Sequence, residues 1–197
     1  KGWDEAESIK KAAGEKGSRV HKAINILLLG QTVNMNDSFA ENEDGLVKEL
    51  SVEEWEGVMS FADWFRATKP EILQTEQVVF NKELWYAGTM DFKCRIGEDI
   101  WIIDLKTSQY LWPEHELQLT GYRHCEKMED VTKMGILQIG YKLNKRHWKL
   151  TEMNDKWNLF VAAHEIWNEL YGNVSPRQME YPITLSLNGE SNGLHAG

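Results

Sequence analysis

The stretch Tyr86-Ala-Gly-Thr-Met-Asp91-Phe-Lys-Cys-Arg-Ile-Gly97-Glu98-Asp-Ile-Trp-Ile-Ile-Asp104-Leu-Lys106-Thr decides the fold. Two strand-like runs flank Gly97-Glu98, which suits a two-residue hairpin loop with glycine first. Pairing Ile96 with Asp99 then sets Asp91 directly opposite Asp104, and Thr89 opposite Lys106. The alternation supports this register. Met90, Phe92, Cys94 and Ile96 point one way with Trp101, Ile103 and Leu105, while Asp91, Asp104 and Lys106 share the other face.

Two carboxylates facing each other across a ladder cost up to ~1 kcal/mol, so something must compensate. One answer is a hard divalent cation, Mg²⁺ or Mn²⁺, which prefers carboxylate oxygens. Lys106 then stands beside the metal, placed to position or deprotonate a water. The other answer is an Asp–Lys–Asp salt-bridge network on an exposed sheet face. The triplet alone does not decide between them.

Outward from the hairpin, Gln74–Phe80 reads as a preceding strand. Before it, Ser51-Val52-Glu53-Glu54 forms a capping box. The helix it opens spaces Trp55, Val58, Met59, Ala62 and Phe65 and ends before Pro70. A first helix follows Gly17-Ser18, with Val20, Ile24, Leu27 and Leu28 on one face, and the polar stretch Gly30–Gly45 is a loop. Beyond the hairpin, Pro113 starts a helix running to about Met128. Lys133–Leu143 and His147–Thr151 form a second hairpin. Asp155 caps a helix to about Tyr171 that Gly172 ends, with Trp157, Phe160, Val161, His164 and Trp167 largely on one face. Ile183–Leu187 is a short strand candidate. The expectation is one α/β domain over residues 1–188 with a central mixed sheet flanked by helices, and a mobile tail over 189–197.

Composition bounds the function. At 197 residues, 42% apolar and 27% charged, the chain belongs with ordinary globular domains. No apolar run approaches the length of a membrane span, and no charged-then-apolar leader opens the sequence, so neither membrane nor secretion is expected. Its two cysteines, Cys94 and Cys125, exclude a disulfide framework and any four-cysteine cluster, and fit a reducing intracellular compartment. The net charge of −9 argues against nucleic acid until its distribution is read. Asp37–Glu76 holds 11 acids and 3 bases, which leaves the rest near neutral. Lys142, Lys145, Arg146 and Lys149 form a basic patch around His147, either a phosphate-tracking surface or a solvated turn.

The hairpin keeps informative company. Arg19-Val-His21 sits at the start of the first helix, Glu76 lies in the strand before the hairpin, and Gln118-Leu-Thr-Gly-Tyr122 sets Gln and Tyr on one helix face. The set resembles the PD-(D/E)XK nuclease superfamily, in its RecB-like exonuclease branch. That branch orders a helix-borne His, a Glu strand, Gly-x-x-Asp, Asp/Glu-x-Lys and Gln-x-x-x-Tyr. Here these stand as His21, Glu76, Gly88-Thr-Met-Asp91, Asp104-Leu-Lys106 and Gln118–Tyr122, over roughly residues 17–125. The superfamily's leading Pro is replaced by Met90, and the cysteine count is too low for the iron–sulfur cluster of some relatives.

The resemblance implies a restriction-endonuclease-like core and a Mg²⁺- or Mn²⁺-dependent exonuclease acting on DNA ends, in phage or bacterial recombination or repair. It implies that Asp91, Asp104 and the Leu105 carbonyl bind one metal, with His21 on the same ion or a second. Glu76 would assist through a metal or a water, and Lys106 would position the attacking water. Gln118 and Tyr122 would brace Lys106 and meet the DNA backbone. Arg19, Lys145, Arg146 and Lys149 are the further DNA-binding candidates, and Tyr110 and Trp112 are placed either to stack bases or to pack. Two alternatives keep the fold: a catalytically silent DNA-end-binding module and a structure-specific endonuclease. The intact Lys106 weighs against the silent one. An acidic protein-interaction domain is the reading from a different class.

Overall fold

In the computed structural model, which describes residues 2–40, 47–140 and 148–172, the hairpin is the middle of a five-stranded sheet. Its strands are β4 (Tyr86–Ile96) and β5 (Asp99–Lys106), joined through Gly97 at φ 64°, the positive value that a glycine-first turn requires. β3 (Glu71–Asn81) lies antiparallel to β4 on the outside. β6 (Lys133–Ile139) runs parallel to β5, and β7 (Trp148–Met153) returns antiparallel to β6. The result is the mixed α/β architecture expected, a central mixed sheet with helices on both faces.

Helices α1 (Gly2–Leu28) and α2 (Val52–Thr68) cover one face. Val20, Ile24, Phe61 and Trp64 pack there against Phe92, Ile103 and Leu137. Helix α3 (Pro113–Arg123) covers the other, where Leu119, Met128 and Val131 pack against Val79, Ile102 and Ile136. The Gly30–Gly45 stretch holds β1 (Ser38–Ala40), paired with β2 (Val47–Glu49), where a loop was expected. Phe39 of β1 is buried in the α1/α2 layer. Among the described residues no helix is long and apolar enough to cross a membrane.

Helix α1 does not begin at Gly17-Ser18 but runs on from Gly2. The Ala-, Glu- and Lys-rich residues before Gly17 favour helix, and an interior glycine costs only about 1 kcal/mol. The capping box at α2 is present: Ser51 N–H donates to Glu54 at 2.7 Å, and Glu54 N–H donates to Ser51 Oγ at 3.3 Å. Its buried stripe is Gly57, Val58, Phe61 and Trp64, one position round from the one expected, which leaves Met59 43% exposed. Helix α3 stops at Arg123 rather than near Met128, because Lys127 turns to φ 65° and Arg123 reaches forward to the Met128 carbonyl at 2.6 Å. Met128 and Val131 reach the core from a turn.

Arg19 is a correction. It is buried, and its guanidinium meets Glu54 Oε1 at 2.8 Å through Nε and 2.7 Å through Nη2. It bolts α1 to the capping box of α2 and offers nothing to DNA. A buried pair with one member removed leaves an uncompensated charge, so Arg19→Met is expected to cost about 3–5 kcal/mol in urea unfolding. DNA affinity of the folded fraction should not change.

By its contacts the chain divides into a unit over Lys1–Val161 and a second over Ala162–Gly197. The helix α4 (Trp157–Tyr171) starts in the first, where Asp155 Oδ1 caps it by accepting from Trp157 N–H at 3.0 Å. Trp157 stacks on His124 at 3.9 Å. In the second unit, the described part is helical to Tyr171, with Trp167 and Tyr171 in ring contact at 6.2 Å. Ile183–Leu187, the tail 189–197, and Lys142, Lys145, Arg146 and His147 lie outside the described residues.

Candidate active site

The two ladders around β4 break at one row. Pairing between β3 and β4 includes Thr75 with Phe92 and Gln77 with Met90, and skips the step that would join Glu76 to Asp91. Pairing between β4 and β5 runs from Ile96–Asp99 to Phe92–Ile103 and stops one step short of Asp91 and Asp104. The register is the one expected, but the facing Asp91–Asp104 pair does not form as a ladder pair. Instead Asp91 turns its carboxylate onto the neighbouring strand, and Oδ2 accepts the Leu105 N–H at 2.6 Å. Glu76 takes φ 46°, a left-handed conformation that costs a side-chain-bearing residue roughly 1–3 kcal/mol. The alternation slips across this row as well. Met90 packs in the α3 layer with Val79 and Ile102, not with Phe92 and Cys94 as expected.

The row opens into a cleft of about 600 Å³ between α1 and the start of α3. Glu76, Asp91, Leu105, Lys106 and His21 all line it. His21 Nδ1 lies 3.2 Å from Asp91 Oδ1, so both Asp91 oxygens are engaged. Lys106 Nζ lies 2.6 Å from Asp104 Oδ2. Asp104 is 5% exposed at its side chain, and Oδ2 accepts no hydrogen bond of good geometry, so the ion pair with Lys106 is its compensation. Of the residues expected, the cleft therefore brings together His21, Glu76, Asp91, Leu105 and Lys106, while Asp104 is buried against Lys106 and does not line it.

The charges act on one another. Burial, then the Asp91 charge, push the Asp104 carboxyl up to about 6, against the pull of Lys106 and His21. Glu76 is raised by loss of solvent and by Asp91. For His21, burial favours the neutral ring, but the hydrogen bond and charge of Asp91, with Asp104 behind, outweigh it and raise the pKa. Acids crowded by acids and too few bases have the chemistry of a hard-cation site. Among the described residues, no three His, Cys, Asp or Glu side chains yet stand together at metal-ligand spacing. His21 and Lys106 hold the two aspartates instead.

Gln118 and Tyr122 sit behind the row. Gln118 Nε2 donates to Tyr122 Oη at 2.7 Å, and neither side chain hydrogen-bonds Lys106, which belongs to Asp104. The Tyr122 ring lies over Gly88, where a Cβ would come within 2.7 Å of its edge. This explains the glycine of Gly88-Thr-Met-Asp91: it lets α3 close on β4. Gly88→Ala is expected to destabilise by about 1–3 kcal/mol through overpacking. Tyr122→Leu should recover most of that loss in a double-mutant cycle read by urea unfolding. Lys149 is exposed on β7, opposite Gln138 and so two strands across from Lys106, and does not line the cleft.

One cleft residue carried no motif. His115 lies in the first turn of α3 and lines the cleft with Trp112 and Lys106. Only its place, two residues after Pro113 in the helix following the Asp-x-Lys strand, pointed to it. Of the two aromatics noted beside the site, Trp112 lines this cleft and is 56% exposed, whereas Tyr110 lines a neighbouring groove.

Neither a protein-family model nor a curated protein sequence matches the chain. Among solved structures it is similar to the crystal structure of an alkaline exonuclease from Laribacter hongkongensis, at 13% identity and a TM-score of 0.39, over 63% of this chain and 74% of that one. A likeness that distant assigns no activity, and the functional reading rests on the cleft.

Proposed function

We propose that the protein is a metal-dependent nuclease that hydrolyses phosphodiester bonds of DNA from its ends, working inside the cell in phage or bacterial recombination or repair. The observation that carries the reading is the row of Glu76, Asp91 and Asp104, set where both ladders break, with Glu76 and Asp91 sharing one cleft with Lys106 and His21 and with Asp104 paired to Lys106. Asp91, Asp104 and the Leu105 carbonyl would hold Mg²⁺ or Mn²⁺, with His21 and Glu76 on the same ion or a second. When bound, the cation supplies Lewis-acid stabilisation of the charge that builds on the phosphate. Lys106 Nζ would orient the water that attacks in line. The Leu105 N–H holds the Asp91 carboxylate in position through the 2.6 Å hydrogen bond.

The test is digestion of end-labelled linear DNA, single- and double-stranded, beside a covalently closed circle, with Mg²⁺, Mn²⁺ or chelator. Loss of the linear substrates with metal while the circle survives is the expected result. Cutting of the circle would make the protein an endonuclease. Binding to ends without cutting in any metal would make it the silent end-binding module.

A further inference from the structure

We infer that His115 grips a backbone phosphate of the strand in the cleft, as a neutral hydrogen-bond donor through Nε2–H. The inference rests on the nuclease reading and adds a substrate contact to it. Trp112 N–H donates to His115 Nδ1 at 3.3 Å. An N–H can be accepted only by an unprotonated ring nitrogen, so the proton of the neutral ring is on Nε2. That second nitrogen has no hydrogen-bond partner among the described residues, while the ring lines the cleft beside Lys106. Burial, then the Lys106 charge, lower the pKa of His115 against the opposing pull of Glu114, so the ring stays neutral near pH 7. Glu116, the other acid of this turn, is occupied by Asn154 N–H at 2.9 Å. A fixed tautomer, a free N–H and a place on the cleft wall suit a phosphate oxygen.

Steady-state cleavage of end-labelled duplex in Mn²⁺ tests this, with three variants. His115→Gln keeps both an acceptor for Trp112 N–H and a donor, so its KM should stay within about twofold of wild type. His115→Phe keeps neither. Its KM should rise about tenfold, as expected for a lost hydrogen bond to a charged oxygen, with kcat little changed. Because no charge is lost, the salt dependence of KM should keep its slope, where loss of a cationic contact would lower it. His115→Glu keeps the acceptor, suits the helix start, and should raise KM further. A KM for His115→Phe equal to wild type, or one for His115→Gln as high as for Phe, overturns the inference alone. Failure of the wild-type protein to cut any DNA overturns the nuclease reading, and this contact with it.

Discussion

Lys106→Ala is expected to lose cleavage by about 10²–10⁴-fold, the range for removing a positioned group that acts on the attacking water, while DNA affinity stays within a few-fold. The geometry sets that split. Lys106 Nζ stands 2.6 Å from Asp104, with its side chain 22% exposed toward the cleft, so it can reach a water as well as its carboxylate. Phosphate contacts elsewhere on the surface persist in the variant. Lys106→Arg should not restore turnover, since a broad planar guanidinium does not place its donors where the compact ammonium does. Paired measurements of initial rate and equilibrium binding decide the matter, with a melt to show that the variant is folded. Wild-type turnover in Lys106→Ala would sink the assignment of this lysine.

Asp104→Asn should separate stability from metal response. Burial and the Asp91 charge push the Asp104 carboxyl up to about 6. The folded state therefore holds this proton to higher pH than the unfolded chain does, and the group's contribution to stability falls as pH rises from about 4 to about 6. At pH 7 without metal the amide should thus be as stable as wild type or more so, and should flatten that pH dependence. Mn²⁺ should stabilise wild type by about 2.7 kcal/mol at a hundredfold excess over its dissociation constant, and Asp104→Asn by little or nothing. One carboxylate causes both effects, so they must move in opposite directions. Thermal melts with Mn²⁺ and with chelator read both. A variant clearly less stable without metal would make Asp104 simply the partner of Lys106.

What could be read in advance was local. The Gly97-Glu98 turn, the Ser51–Glu54 box and the limits of β4 each depend on residues within a few positions, and the chemistry of those residues is enough. The nearness of Asp91, Asp104 and Lys106 was legible as well, because they lie on two strands joined by a two-residue turn, and their register follows from it. The contacts that hold them were not. That Asp91 would leave its ladder to accept the Leu105 N–H, and that Glu76 would turn left-handed beside it, depend on three strands meeting at once. The burial of Arg19 depends on Glu54, 35 positions away, so a surface cation beside a motif histidine and a bolt between helices look alike in sequence. His115 entered the cleft by the approach of α3 to β5, which no spacing encodes.

The central claim is that the broken row of acids is a metal-dependent cutting site for DNA. The most direct measurement is release of label from a linear duplex by wild type and by Asp91→Asn/Asp104→Asn, each with Mn²⁺ and with chelator. The account predicts release only by wild type and only with metal. Release at a comparable rate by the double variant, or by wild type in chelator, would contradict it.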